Sequence, residues 1–300
     1  MIRGFDDLEK LALRSTVKKR LALAMAEELD VLKAAAEATA KGIVEPVLVG
    51  NEKQIRDLAR REELDIASSR LVQAKGEREC AARAVALVRD GEADVLMKGR
   101  LATSTLMKAV LDGENGLRAG GLLSHLTLIE SRSYPKLLFM SDPGINIAPD
   151  LAAKVSILEN AVRAARRLGV VHPKVAVIAA VERVTPGRMP ATVDAAALSK
   201  MAERGQITDC TVDGPLSLDN ALSAKSCEIK GLASSVGGEA DILLMPSIEA
   251  ANVFYKTIAF FTDARMAGVV VGARVPIVVA SRADSDAVKY CSLLAAVALA

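Results

Sequence analysis

From Lys18 onward, short aliphatic runs alternate with longer segments whose apolar positions recur every three or four residues, and that alternation restricts the fold more than any other feature of the chain. RLALAMA reads as a strand, EELDVLKAAAEATAKG as a helix closing on Gly42, and EPVLVG as a strand. NEKQIRDLARR then reads as a helix for which Asn51 is a suitable N-cap. GEREC through VALVRDG is helical, ADVLMKG is a short buried strand, and ATSTLMKAVLDG is a helix entered through Thr and Ser. A βαβα rhythm of this kind calls for a mainly parallel sheet with right-handed crossovers, flanked by helices.

The rhythm breaks at LLSHLTLIE and KLLFMSD, two strands joined by SRSYP, which suit antiparallel pairing or a sheet edge. DLAAKVSILENAVRAARRLGV follows as a long amphipathic helix, and a second run of strand and helix units occupies Lys174 to Gly272. At 300 residues the chain exceeds what one core usually serves, so an α/β architecture of two lobes is expected. The expected boundaries are residues 1–130 plus 270–300 for one domain and 131–269 for the other, with the active site in the cleft between them. Hydrophobic residues make up 51% of the chain but aromatic residues only 3%, so the core must be built from Ala, Val, Leu and Ile.

Charge and motif content exclude several classes. The 39 Lys and Arg nearly balance the 37 Asp and Glu, and no basic stripe marks a nucleic-acid surface. Cys80, Cys210, Cys227 and Cys291 lie far apart without C-x-x-C spacing, and two histidines cannot complete a zinc set with them, so a reduced cytoplasmic protein without a structural metal is expected. The N-terminal segment lacks the apolar stretch of a signal peptide, and the most apolar window, Met266 to Ala280, is interrupted by Arg274 and Pro276, so no membrane association is expected. No G-x-G-x-x-G follows a strand, and neither a P-loop nor a G-x-S-x-G elbow is present.

Polar residues concentrate where strands end. Lys98-Gly99-Arg100 with Thr103, Ser124-His125, Ser141-Asp142-Pro143-Gly144, and Asn252 with Lys256 all follow or close a strand. In open α/β sheets that edge is where ligands bind. The densest cluster is Ser281-Arg282-Ala283-Asp284-Ser285-Asp286, between the last strand and an Ala-rich helix. The Arg282 guanidinium suits bidentate contact with phosphate oxygens, and a new helix offers N–H groups to an anion. Ser281 also suits an N-cap, and Asp284 or Asp286 also suits the helix dipole. His125 sits in an apolar strand pattern, where a histidine is more often packed than catalytic.

The motifs ADVLMKG, GGLLSH, SDPGINIAPDLAAK, MPATVDAAALSKMAERGQITD, VDGPLSLDNA, ADILLMPSIEAANVFYK and GARVPIVVASRADS resemble those of the phosphate acetyl/butyryl transferase family, and within it the phosphate butyryltransferase-like branch. The resemblance implies a two-lobed fold similar to that of isocitrate and isopropylmalate dehydrogenases, a homodimer, and the reaction acyl-CoA + phosphate ⇌ acyl phosphate + CoA. Coenzyme A is then a substrate, and no tightly bound cofactor is implied. By the same resemblance Ser281 and Arg282 lie in the active site, and Asp284 or Asp286, with Asp286 preferred, takes the thiol proton. Lys98, Thr103, Lys108, Ser124, Asp142, Asn252 and Lys256 are the expected substrate-binding residues.

Lys108 stands where the family has an arginine, Ala251 where many relatives have glycine, and Pro143 where some have cysteine. The last departure leaves no acyl-cysteine candidate and favours direct transfer in a ternary complex. A short-chain group longer than acetyl is the expected substrate. The alternatives are phosphate acetyltransferase proper, a non-catalytic protein that binds CoA or acyl phosphate, and a dehydrogenase on the same scaffold, for which neither a cluster of acidic metal ligands nor a nucleotide loop can be assembled.

Overall fold

The computed structural model describes residues 2–14, 17–280 and 284–300. In chain order it begins with α1 (Phe5–Arg14), β1 (Lys19–Ala24), α2 (Leu29–Ala40), β2 (Val44–Gly50), α3 (Glu52–Arg61), β3 (Arg70–Gln73), α4 (Gly76–Arg89), β4 (Val95–Lys98) and α5 (Thr103–Val110). The middle of the chain forms β5 (Ser124–Glu130), β6 (Leu138–Ser141), α6 (Leu151–Arg167), β7 (Lys174–Ile178), α7 (Pro190–Glu203), β8 (Thr211–Leu216), α8 (Leu218–Leu222), α9 (Ala224–Lys230), β9 (Ile242–Leu244) and α10 (Ile248–Phe261). It closes with β10 (Arg265–Val271), β11 (Ile277–Val278) and α11 (Asp286–Leu299). The chain divides into two compact units, Phe5–Gly121 with Ala267–Ala300, and Leu122–Met266 with the segment ending at Gly4.

In the first unit the strand order is β3-β2-β1-β4-β11-β10. Neighbours from β3 to β11 run parallel, and β10 meets β11 antiparallel. From β1 the chain steps outward through β2 to β3, then returns to place β4 on the other side of β1. Right-handed crossovers taken in opposite directions put helices on both faces. Accordingly α1 and α2 pack on α11, while α4 packs on α5, β1 and β2. Leu21 to Ala24 on β1 and Val95 to Met97 on β4 are fully buried, which explains their unbroken apolar sequences: a strand covered on both faces has no polar side to show. Asn51 caps α3 as expected, its side chain accepting from the Gln54 N–H at 3.1 Å.

In the second unit the order is β5-β6-β9-β7-β8. The expected break in rhythm is seen here, with β5 and β6 antiparallel and the rest parallel. One core cluster, including Ile129, Met140, Ile178, Leu216, Leu243 and Tyr255, joins the sheet to α10. The long amphipathic segment is α6, capped by Asp150, whose carboxylate accepts from the Ala153 N–H at 2.8 Å.

Three elements are not among those read from the sequence, each being short. Helix α1 spans ten residues and buries Phe5, Leu8 and Ala12, at helical spacing. The edge strand β3 reads RLVQ without a buried residue, and α9 is a seven-residue helix ended by Gly231 at φ +60°. Among the described residues no helix is long and apolar enough to cross a membrane.

Candidate active site

In the first unit, β1 and β4 end side by side, Ala24 opposite Lys98. The backbone continues the pairing past the strands: Gly99 N–H donates to the Ala24 carbonyl at 2.8 Å and Arg100 N–H to that of Met25 at 2.9 Å. A Cβ on Gly99 would lie 2.8 Å from the Ala24 oxygen and closer still to that of Met25, so only glycine permits this approach. Lys98 is buried at 4% exposure, and its ammonium donates to the carbonyls of Gly99 at 3.0 Å and Leu101 at 3.3 Å. Lys98 thereby donates to carbonyls of its own loop.

Thr103 opens α5 and is exposed. Glu77, from α4, already attends this helix start, its Oε2 accepting from Ala102 N–H at 3.1 Å and from Thr105 Oγ1 at 3.0 Å. A carboxylate there satisfies the partial positive charge that would otherwise attract a ligand anion. Lys108 lies exposed in the last turn of the same helix, where the dipole favours a cation.

Ser281 and Arg282 lie outside the described residues. Just beyond them, Asp284 is half-buried and Asp286 is exposed as the first residue of α11. The Asp286 Oδ1 accepts from the N–H of Ala287 at 2.8 Å. The alternative of Ser281 as N-cap is corrected: Ser285, in extended conformation, caps α11 by accepting from Val288 N–H at 3.4 Å. A cap must stand immediately before the first helical residue, and that residue is Asp286.

One turn into α11 is a residue the sequence reading missed. Lys289 is 1% exposed, and its ammonium reaches Asp30 at 2.9 Å and Glu28 at 3.1 Å, at the start of α2. Burial alone would lower its pKa, yet the hydrogen bonds to Asp30 and Glu28 prevail and raise it.

In the second unit Ser124 is fully buried and accepts from the Asn160 side-chain amide at 3.0 Å, pinning β5 to α6. Asp142 is 4% exposed and organises the loop after β6. Its Oδ1 accepts from the N–H groups of Gly144 at 2.9 Å and Ile145 at 3.0 Å, and its Oδ2 from Asn146 N–H at 3.2 Å and Asn146 Nδ2 at 2.6 Å. Asn252, exposed on α10, donates to the Pro143 carbonyl at 3.1 Å, so Asp142 and Asn252 serve one loop. Lys256, one turn on, sits with its ammonium 4.9 Å from the centroid of the Tyr255 ring. His125 is half-buried, and a Cβ built on Gly144 would lie 3.6 Å from its ring.

A second polar cluster of this unit was not visible from spacing. Ser217 Oγ donates to Glu182 at 2.5 Å and also lies 2.5 Å from an Asp219 carboxylate oxygen. Lys230 Nζ reaches Glu182 at 3.1 Å and Asp219 at 2.9 Å. The Ser217 hydroxyl they share, then the Lys230 ammonium, hold both carboxyls below their ordinary range. Among the described residues no three His, Cys, Asp or Glu side chains converge as a metal site would require. All four cysteines are free and buried.

The family model described as phosphate acetyl/butaryl transferase matches residues 8–83 and 78–297. Phosphate butyryltransferase from Clostridium acetobutylicum is 41% identical over 300 residues, which is 100% of this chain and 99% of the relative. Phosphate acetyltransferase from Thermotoga maritima is 42% identical over 287 residues, 95% of this chain and 97% of the relative. Among solved structures, a branched-chain phosphotransacylase from Enterococcus faecalis V583 superposes with a TM-score of 0.84 at 32% identity, covering 94% of this chain and 98% of that one. Matched in sequence and in backbone over nearly all of its length, the chain belongs to the phosphate acetyl/butyryl transferase family.

Proposed function

We propose that this enzyme moves a short-chain acyl group between coenzyme A and inorganic phosphate, acyl-CoA + phosphate ⇌ acyl phosphate + CoA. The observation that carries this reading is the full-length match at 41% identity to a phosphate butyryltransferase. The conserved-length relatives include an acetyl-transferring one at 42% identity, so overall identity does not choose the acyl group. The butyryl-like character of the motifs and the likeness to a branched-chain phosphotransacylase support a group longer than acetyl. Coenzyme A acts as substrate, and the enzyme works as a cytoplasmic homodimer.

In the proposed mechanism Arg282, helped by Lys98 or Lys108, holds the phosphoryl group by charge-assisted hydrogen bonds. Asp286 or Asp284 accepts the proton of the CoA thiol as the sulfur attacks the acyl carbon, and Ser281 donates to the sulfur or to the developing oxyanion. One such donor contributes about 10²-fold or more in rate. The carbon–sulfur bond forms as the carbon–oxygen bond to phosphate breaks, and phosphate leaves with the electron pair. Binding both substrates together supplies much of the remaining acceleration. The positions of Asp284 and Asp286, one half-buried before the helix and one exposed at its first residue, suit either for this role. Thr103, Ser124, Asp142, Asn252 and Lys256 are proposed to bind substrate or to shape the loops that do.

The test is thiol release from acyl-CoA of two to five acyl carbons, each methylene being worth about 1–3 kcal/mol of discrimination, with and without inorganic phosphate. Phosphate-dependent release greatest beyond acetyl is expected. Tight CoA binding with no phosphate-dependent release at any length would instead favour a non-catalytic binding protein.

A further inference from the structure

Helix α11 is buried without a break from Lys289 to Val297, and most of those residues are Ala, Leu or Val. Aliphatic burial is non-directional, so it holds the helix at its depth without fixing how far it turns about its own axis. Direction comes from hydrogen bonds. Ser292 Oγ accepts from the Gly268 N–H of β10 at 2.9 Å, and the Tyr290 hydroxyl donates to Glu9 of α1 at 3.2 Å. Lys289 stands nearer the helix start than either, and its ammonium is fastened to Asp30 and to Glu28, the N-cap residue of α2.

The same residue closes the first turn, its N–H donating to the Ser285 carbonyl at 3.1 Å. Ser285 caps α11 and is flanked by Asp284 and Asp286, the two carboxylates proposed to take the thiol proton. Side chain and backbone of Lys289 thus join the start of α2 to the cap that lies between them. An aliphatic replacement of a whole buried ion pair is often neutral or stabilising, so stability alone does not account for an ammonium here.

The charge acts in the same direction as the geometry. An ammonium one turn from Asp286 favours ionised carboxylates at the helix start, whereas Glu28 and Asp30 without it would oppose them. Of the other elements packed on α11, β4 ends in Lys98, whose ammonium is turned to carbonyls of its own loop, and β11 brings no titratable side chain. Glu9 of α1, with Glu37 and Lys41 at the far end of α2, groups around Tyr290.

We infer that Lys289 is a positioning residue for the transfer reaction: docked on Asp30 and Glu28, it fixes the rotation of α11 and thereby the aim and ionisation of the carboxylate that takes the thiol proton. The inference rests on the proposed role of Asp284 or Asp286 and adds the residue through which that role is set. A displacement of about 1 Å costs a reacting group about 10²-fold in rate, so a helix start left free to turn slows transfer without weakening binding.

Lys289→Met keeps the aliphatic volume and removes the charge. Its kcat should fall about tenfold or more, with the KM for CoA and for acyl phosphate within about twofold of wild type. The acid limb of its kcat profile should move up by about half a pH unit or more, because two carboxylates are left without their cation. Lys289→Arg, which keeps the charge, should recover most of the lost kcat. The triple variant Glu28→Gln/Asp30→Asn/Lys289→Met strands no charge and so keeps the fold even where the single variant unfolds; its kcat should remain low, since the directional contact is gone. Wild-type kcat in either variant that lacks the ammonium, a loss confined to KM, or an acid limb that stays in place in Lys289→Met overturns the inference. Titration of the Asp284 and Asp286 carboxyls by carbon NMR needs no turnover. A pKa rise at either in Lys289→Met upholds the inferred coupling even where wild type transfers nothing, a result that refutes the proposed reaction alone, and no rise at either overturns it.

Discussion

The ammonium of Lys289 lies 2.9 Å from the Asp30 carboxylate although the two residues are 259 positions apart, and it reaches Glu28 as well. The bond ties the first turn of α11, which carries Asp286, to the start of α2 just beyond β1. Lys289→Ala is therefore expected to lower stability by roughly 1–3 kcal/mol in urea titrations, below the usual cost of breaking a buried pair because the carboxylates left behind keep contact with water. Asp30→Asn should cost under about 1 kcal/mol, since Glu28 remains. The Lys289 pKa is raised in the fold, so its contribution is complete below the unfolded value and lost only as pH rises through the folded one. The difference between wild type and Lys289→Ala should thus stay flat from neutral pH to about pH 10.

Asp142 accepts four hydrogen bonds within its loop. Asp142→Ala should cost roughly 2–3 kcal/mol in thermal or chemical denaturation. Asn252→Ala removes a single bond to the Pro143 carbonyl and should cost no more than about 1 kcal/mol. A fall in kcat for Asn252→Ala larger than its stability loss would mark the loop's position as the quantity that matters; unchanged kinetics would remove Asn252 from the site.

Of the two carboxylates beside α11, one is expected to lose at least about 10²-fold in kcat when changed to Asn, with a flattened acid limb in its pH–rate profile. The other should stay within a few-fold of wild type. If both variants keep wild-type turnover, neither is the base.

Gly99→Ala forces a methyl group against the carbonyls of Met25 and Ala24. The backbone must yield, at a cost of about 1–3 kcal/mol, and Lys98 must move with it. Both the denaturation midpoint and the KM for phosphate should shift, whereas Gly113→Ala, whose Cβ would meet nothing within 4 Å, should leave both near wild type.

Asp94 accepts from the Arg20 guanidinium at 2.7 and 3.0 Å and from its N–H at 2.9 Å. Hydrogen bonding from the Arg20 side chain outweighs burial and holds the Asp94 carboxyl below its ordinary pKa. A depressed carboxyl contributes stability that is complete above its unfolded value, near 4, and is lost as pH falls through the folded one. Since both side chains are partly exposed, the contribution is about 1 kcal/mol at most. Asp94→Asn should destabilise by that amount at pH 7 and converge with wild type only once the pH has fallen below the lowered Asp94 value.

The amino-acid sequence by itself determined the α/β class, the parallel pairing of the repeated units, the break in that rhythm at β5 and β6, and the cap Asn51. Each of these follows from interactions between residues a few positions apart, where apolar period and cap chemistry are local properties. It also carried the family motifs, because those are strings of neighbours. Only the tertiary structure decided what the polar residues touch. It turned Ser124 inward to Asn160, placed Glu77 over the start of α5, closed the Asp142 loop on Asn252, and joined Lys230 to Glu182 and Lys289 to Asp30. Hydrogen bonds and ion pairs between distant segments depend on angles and separations set by packing of the whole core, and no period in the chain encodes them.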